Sequence, residues 1–259
     1  MEYFLVFIFG GIIGSFLNVC IYRIPLGKSI VWPRSFCPQC GKNIGWFDNI
    51  PLLSYAVLRG KCRSCKKTIS FKYFLVELMC ALIGVFLFSQ FSMSATFFVY
   101  YFFACILIVV SFIDIKYQMI PDVFSLPGIV VGVLLFTFFR LDGSPGYTGA
   151  LLNSVLGVIV GGMSMFLLGM LGEFLFKKEA LGGGDIKLMA MMGAFLGWKL
   201  VILTFFLAPF FGSIIGIITK IRFGKDIIPY GPYLSIAAII SLIYGGNIIN
   251  YIFVGYFSL

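Results

Sequence analysis

Apolar runs long enough to cross a lipid bilayer recur along almost the whole of this 259-residue chain. A transmembrane helix needs about 20 consecutive apolar residues. Runs of this kind occupy 3–22, 73–91, 95–113, 123–140, 149–175, 200–221 and 230–254, and a shorter run occupies 186–198. Only 11% of the residues are charged, against about 25% in a soluble domain, so the chain cannot cover a water-facing surface. The sequence therefore predicts an all-α polytopic membrane protein with about eight transmembrane helices.

The basic residues predict how these helices are oriented. The chain carries 19 Lys and Arg residues against 10 Asp and Glu residues. With eight spans and the loop 23–72 in the cytoplasm, every basic residue except Arg140 and Lys199 lies in a cytoplasmic loop, as the positive-inside rule requires. Without the short span at 186–198, the orientation after residue 198 would invert, and Lys220, Arg222 and Lys225 would lie outside. The excess of bases therefore indicates orientation in a membrane, with both termini outside, and predicts no nucleic-acid partner.

The chain contains no histidine. This absence excludes Ser–His and Cys–His catalysis, a histidine general base and zinc bound by histidine. Any chemistry must therefore use carboxylates, lysine, serine, tyrosine or cysteine.

Two C-x2-C pairs lie in the one sizeable polar loop, 23–72, as Cys37 with Cys40 and Cys62 with Cys65. Each pair can form a knuckle that turns both thiols toward one point, and four thiolates can hold zinc in a closed tetrahedral site. The loop has few apolar residues of its own, so a metal would stabilise it. The alternatives are two disulfide bonds or free thiols, and a reducing cytoplasm argues against disulfides. A zinc ion here would be structural, because four cysteine ligands leave no position for a substrate.

The tripeptide Asp-Ile-Lys occurs twice, each time where an apolar run meets a polar break. Asp114 follows the run 95–113, and Asp185 precedes the run 186–198, so both are predicted at the cytoplasmic face. Carboxylates near the hydrocarbon are costly and therefore indicate function. Two neighbouring carboxyl groups can share one proton, so that one activates a water while the other polarises a peptide carbonyl.

Flexible or helix-breaking residues flank both aspartates. Gly182 and Gly184 precede the second aspartate and allow the backbone to come close to an extended substrate. Pro121 breaks the helix after the first aspartate and opens a polar gap together with Asp122. Local roles are the alternatives: the second aspartate and Asp122 both suit helix N-caps, and the first aspartate could pair with Lys116.

Several motifs taken together resemble the type IV prepilin peptidases. They are GSFLNVCIYRIP, CPQCGK, GKCRSCKK, IDIKYQMIPD, GGGDIK and IPYGPY, and they follow the order seen in that family. The resemblance implies an intramembrane aspartyl endopeptidase of the G-x-G-D type. Such an enzyme removes the basic leader of prepilins or pseudopilins within the bacterial inner membrane, at its cytoplasmic face. By residue, the resemblance implies catalysis by Asp114 and Asp185, support from Gly182, Gly184, Pro121 and Asp122, and zinc ligands Cys37, Cys40, Cys62 and Cys65.

The resemblance also implies that the new N-terminal residue is methylated, with S-adenosylmethionine as the donor. Shortened members of the family lack the cysteine loop and the methylation, whereas this chain keeps the loop, and its Gly60 matches a glycine associated with methylation. No G-x-G-x-x-G fingerprint locates the pocket for the donor. The implied domains are a first helix at 1–22, a zinc-binding domain at 23–72 and a peptidase domain at 73–259. The oligomeric state is not indicated.

Three other classes of protein fit part of this pattern. A proton-coupled carrier also uses paired membrane acids, but it would bury them near the midplane. A Ser–Lys protease could use Lys116 or Lys187, but it would leave the aspartates without a role. A membrane-anchored zinc adaptor would make the cysteine loop itself the functional part. Inhibition by a transition-state mimic for aspartyl proteases distinguishes the peptidase from all three.

Overall fold

The computed structural model describes residues 1–177, 181–223 and 229–254. Within these ranges the chain is helical, and the described β-structure consists of two isolated bridges in the loop after the first helix. The helices are α1 (Glu2–Arg23), α2 (Leu53–Val57), α3 (Phe71–Phe91), α4 (Ala95–Tyr117), α5 (Asp122–Phe139), α6 (Tyr147–Phe176), α7 (Gly183–Phe223) and α8 (Gly231–Val254). All except the short α2 are long and apolar enough to cross a membrane, which makes seven. The predicted all-α polytopic fold is therefore confirmed.

The long helix α7 consists of two helices, because the chain reverses direction at Gly197. Gly197 has φ 76° and ψ 171°, which no helical residue adopts. A Cβ atom on Gly161 of α6 would lie 2.5 Å from the carbonyl oxygen of Met189 and 3.1 Å from a methyl carbon of Val201. In an unbroken helix those two residues would be about 18 Å apart. The described chain thus has eight α-helices besides the short α2, and the short apolar run predicted at 186–198 forms a helix of its own.

A polar network holds the reversal in place. The side-chain oxygen of Asn153 accepts a hydrogen bond from the backbone N–H of Trp198 (3.2 Å), the first residue after the break. The amide nitrogen of Asn153 donates to Asp142 (2.7 Å) in the turn between α5 and α6. A Cβ on Gly197 would lie 2.6 Å from the same Asn153 oxygen, so glycine satisfies both the left-handed φ and the close approach.

The chain separates into two compact units, Met1–Val109 and Val110–Leu259. In the first unit α1 packs on α3 through glycines. A Cβ on Gly10 would lie 2.7 Å from the Cα of Ala81, and one on Gly14 would lie 2.7 Å from the Cα of Glu77. Small residues of this kind let membrane helices approach closely. The loop between α1 and α3 carries the four cysteines and α2.

In the second unit α7 packs against α5, α6 and α8. Gly157 of α6 faces the backbone of Gly193 so closely that neither position has room for a side chain. Residues 188–197 of the first half of α7 are all buried. This half is therefore enclosed by the protein.

The three-part division into domains at 1–22, 23–72 and 73–259 stays a prediction.

Candidate functional site

Asp114 lies in the last turn of α4 and is 5% exposed. Its Oδ2 atom accepts a hydrogen bond of 2.8 Å from the backbone N–H of Gly231, the first residue of α8. The free N–H groups at a helix start carry partial positive charge and favour an anion. A Cβ on Gly231 would lie 2.8 Å from the same oxygen, so the contact depends on glycine. The end of α4 and the start of α8 therefore meet at this carboxylate.

Asp185 lies in the first turn of α7 and is half-buried. Its backbone N–H donates to the carbonyl oxygen of Gly182 (3.1 Å). A Cβ on Gly184 would lie 2.9 Å from the Cβ of Ile120, whereas one on Gly183 would meet nothing within 4 Å. The glycines thus serve two purposes, because Gly184 lets α7 pack on the segment between α4 and α5 while Gly183 leaves open space beside Asp185.

Two consecutive residues at the start of α8 connect the aspartates. Gly231 is hydrogen-bonded to Asp114. Burial and the neighbouring Asp185 carboxylate raise the pKa of Tyr230 to about 12, so this phenol stays protonated at neutral pH. The two carboxyl groups are also close enough to interact electrostatically with each other. The structure therefore brings Asp114 and Asp185, 71 positions apart in the sequence, to one place.

Pro121 and Asp122 lie at the start of α5, beside the aspartate pair, but neither residue belongs to that pair. Pro121 is the N-cap residue of α5, and no side chain caps this helix. The alternative reading of Asp122 as an N-cap is therefore wrong. Its carboxylate instead forms an ion pair with Lys187 (2.8 Å), two residues after Asp185. The pair ties the start of α5 to the first turn of α7.

Sequence reasoning missed four contributors to this region, which are the N–H of Gly231, Tyr230, Lys187 in its structural role, and Ile120. The motif IPYGPY contains the first two, so it marked the right segment without indicating what each residue contacts. Lys187 lay inside the repeated tripeptide, where the lysine had no apparent partner. Each of these contributions depends on packing between helices that are far apart in the sequence.

The four cysteines of the first unit form one cluster. The Sγ atoms of Cys37, Cys40, Cys62 and Cys65 all lie within 4.8 Å of one another, and those of Cys37 and Cys65 are 4.0 Å apart. A zinc ion with bonds of about 2.3 Å would require sulfur atoms about 3.8 Å apart. None of the seven cysteines forms a disulfide, so that alternative does not describe this structure. The cluster is a candidate metal site.

The two knuckles repeat one backbone geometry. The N–H of Cys37 donates to the carbonyl of Lys42, and the N–H of Cys62 donates to the carbonyl of Lys67, both at 2.9 Å. The backbone N–H groups of Cys65 and Ser64, which lie against the Cys62 sulfur, lower the pKa of its thiol to about 7. Although a backbone hydrogen bond from Lys67 lowers the pKa of Cys65, desolvation and the neighbouring thiols together raise it to about 11. A thiolate is the form that binds a metal, so the backbone favours ligation by Cys62 first.

Gly60 lies just before the second knuckle and is buried. Its φ is +66°, and a Cβ there would lie 2.9 Å from the hydroxyl oxygen of Tyr55. A side chain at this position would therefore both strain the backbone and displace the tyrosine.

Two known protein families match the chain, one mainly in each of its two units. Residues 8–91 match the family described as the bacterial peptidase A24 N-terminal domain. Residues 101–217 match the family described as the type IV leader peptidase family. The two matches together cover most of the chain, and both aspartates lie within the second. No solved structure matches the chain.

Several curated proteins named prepilin leader peptidase/N-methyltransferase are similar to the chain. The protein from Pseudomonas putida is 33% identical over 93% of this chain and 90% of its own length. The protein from Pseudomonas aeruginosa is 35% identical over 92% of this chain and 89% of its own length. The protein from Myxococcus xanthus is 37% identical over 85% of this chain, and the match spans 63% of that relative's length.

Proposed function

Because the chain belongs to the type IV leader peptidase family, we propose that it is a prepilin leader peptidase and N-methyltransferase of the bacterial inner membrane. It cuts the basic leader from prepilins or pseudopilins at the cytoplasmic face and then methylates the new N-terminal residue. The observation that carries the peptidase activity is the meeting of Asp114 and Asp185 at the start of α8.

The environments of the two aspartates indicate which carboxyl group is ionised and which one holds the shared proton. Two carboxylates in one site resist double ionisation, so the pair holds one proton. The hydrogen bond from Gly231 N–H and the positive end of α8 favour negative charge on Asp114. We therefore place the shared proton on Asp185, which is the more exposed of the two.

Peptide hydrolysis then needs only these two groups and one water. Asp114 accepts a proton from the water as its oxygen attacks the carbonyl carbon, while Asp185 donates its proton to the carbonyl oxygen. In the second half Asp114 gives its proton to the leaving nitrogen, and Asp185 takes one back from the hydroxyl group as the C–N bond breaks. Both carboxyl groups end in the state in which they began.

Other residues of the region would position the substrate. The backbone at Gly182 and Gly183 is exposed, so an extended peptide can lie against it. The Asp122–Lys187 ion pair would keep the starts of α5 and α7 together. Tyr230, protonated at neutral pH, would be available as a hydrogen-bond donor near Asp185.

Two groups complete the proposed enzyme. Zinc bound by Cys37, Cys40, Cys62 and Cys65 would hold the knuckles together, and the sulfur positions fit a tetrahedral ion. S-adenosylmethionine would supply an electrophilic methyl group for the new amine. With the basic loops in the cytoplasm, a basic leader would be held near the anionic inner surface, on the side where we place the aspartates.

Purified protein in lipid nanodiscs, incubated with a purified prepilin and S-adenosylmethionine, tests the proposal. Mass spectrometry of the product detects loss of the leader and gain of one methyl group as separate events. D114N and D185N should each abolish cleavage, whereas E173Q, which changes an exposed glutamate of α6, should cleave like the wild type. Full cleavage by both D114N and D185N would exclude the aspartate pair.

A further inference from the structure

The first unit, Met1–Val109, contains a partly open cavity of about 500 Å³ that the proposed cleavage does not use. Residues of α1, α3 and the cysteine loop line it, and all of them belong to this unit. The volume falls in the range of pockets for small-molecule ligands, which is about 300–1,000 Å³. The cavity therefore has the size of a ligand site within a unit that has no other assigned chemistry beyond the candidate metal cluster.

A carboxylate without a cationic partner faces this cavity. Glu77 of α3 is half-buried, and its Oε2 atom accepts a hydrogen bond from the backbone N–H of Leu52 (2.8 Å). Ser15 of α1 also hydrogen-bonds to it. The ion pairs among the described residues are Arg63–Asp48 and Lys187–Asp122, so no described Lys or Arg lies within ion-pair distance of Glu77. The lining also contains the bases Arg23, Lys42, Arg63 and Lys67, of which Arg63 pairs with Asp48. A half-buried carboxylate in this state suits a cationic ligand.

The backbone that holds Glu77 is strained. Leu52 has φ 62° and ψ −48°, a conformation that L side chains rarely adopt. Its N–H points at Glu77 in this conformation, so the loop is anchored to α3 at the cavity wall. Strain of this kind persists where the surrounding structure fixes it, often beside a binding site.

Aromatic rings provide a second wall. Tyr55 and Phe74 both line the cavity, and their ring centroids are 5.3 Å apart. Aromatic faces attract a ligand cation and stack on planar ring systems. Gly60 packs against Tyr55 with no room for a side chain, so a substitution there would shift this wall. Cys37 and Cys62 also belong to the lining, so the metal cluster borders the same space.

From these contacts, and resting on the proposed function, we propose that the cavity binds S-adenosylmethionine with Glu77 facing the sulfonium charge. Glu77 then accepts one proton from the new N-terminal ammonium group of the substrate. The freed nitrogen lone pair forms an N–C bond to the methyl group while the C–S bond breaks, and the electron pair of that bond stays on sulfur. Glu77 is thereby assigned a catalytic role in methyl transfer and none in leader cleavage.

The test measures binding directly, on the full chain in nanodiscs with its zinc retained. Isothermal titration compares S-adenosylmethionine with S-adenosylhomocysteine, which lacks the positive charge. E77Q should weaken binding of S-adenosylmethionine at least about tenfold, because a partly desolvated charge pair is lost, and should weaken S-adenosylhomocysteine binding less than about threefold. The matched variant E173Q, an exposed glutamate of α6, should bind both like the wild type.

A second measurement uses the wild type and so does not depend on how E77Q folds. Ultraviolet crosslinking of radiolabelled S-adenosylmethionine, followed by peptide mapping, should place the label in residues 1–109. Label confined to residues 110–259 would exclude the cavity. Equal affinities of E77Q and wild type for S-adenosylmethionine, or equal weakening of both ligands, would exclude the role of Glu77. Leader cleavage is assayed in parallel, so failure of this inference is distinguishable from failure of the proposed peptidase.

Discussion

The aspartate pair and the cysteine cluster are assembled in opposite ways. Each cysteine knuckle closes within six residues through its own backbone, as in the hydrogen bond from Cys37 N–H to the carbonyl of Lys42. The aspartates come from α4 and α7, and a residue from α8 holds one of them. A local motif can thus be recognised from spacing alone, whereas the pair exists only when several helices have packed.

The two sites should therefore respond independently when either is disrupted. The largest expected effect is on cleavage in D114N or D185N. Loss of either carboxyl group removes a proton donor or acceptor, so the rate of leader cleavage should fall by about 10³-fold or more. The cysteine cluster lies outside these contacts, so zinc content should match that of the wild type. Product mass spectrometry and metal analysis check both outcomes, and a variant that lost zinc as well would contradict the separation.

The converse experiment removes the metal. Chelation of zinc, or the variant C62S, should unfold the knuckles, since a structural zinc site contributes about 10 kcal/mol or more to folding. Methylation should be lost, because the cysteines border the proposed methyl-transfer cavity. Cleavage should be reduced less than methylation. Limited proteolysis between residues 37 and 65 reports the unfolding. Complete loss of leader cleavage together with methylation would contradict the independence of the two sites.

A finer test addresses the backbone contact to Asp114. In G231A the new Cβ would lie 2.8 Å from the Asp114 Oδ2 atom, so the carboxylate must move. We expect cleavage to fall about 10- to 100-fold, as for a displaced catalytic group, with little change in methylation. The matched variant G246A, in the same helix with nothing within 4 Å of its Cβ, should cleave like the wild type. Similar rates for the two variants would show that the contact is unnecessary.

The smallest effect is expected at the Asp122–Lys187 ion pair. Both side chains are substantially exposed, at 54% and 40%, and an exposed pair contributes about 0–1 kcal/mol. K187M should therefore lower cleavage less than about fivefold, and added salt should lower wild-type cleavage toward the variant's rate. A loss comparable to that of D185N would instead place Lys187 in the catalytic chemistry.

The features that the sequence predicted correctly are those encoded locally. Apolar runs mark the helices because each run must bury its own backbone polar groups in lipid. The short run 186–198 was recognised because the distribution of basic residues required it. The eight-span topology required the chain to turn between 186–198 and 200–221, but the contact that holds this turn was not foreseen, because Asn153 lies 44 positions before Gly197.

The contacts around Glu77 could likewise not be predicted from the sequence. Glu77 lies inside an apolar run, and nothing in that run indicates that the N–H of Leu52 would meet it. The strained φ of Leu52 is a product of loop packing and leaves no compositional signal. The aspartates were found because a repeated tripeptide and the family resemblance drew attention to them, and not because any pattern encodes their approach.

The short first half of α7 also determines how the enzyme responds to the thickness of the bilayer. At residues 183–196 it is about 21 Å long, against a hydrocarbon core of about 30 Å. Such a mismatch usually makes lipid thin around the helix, but residues 188–197 are buried in protein. The depth of Asp185 is therefore set by the scaffold, so cleavage should be insensitive to the acyl-chain length of the host lipids.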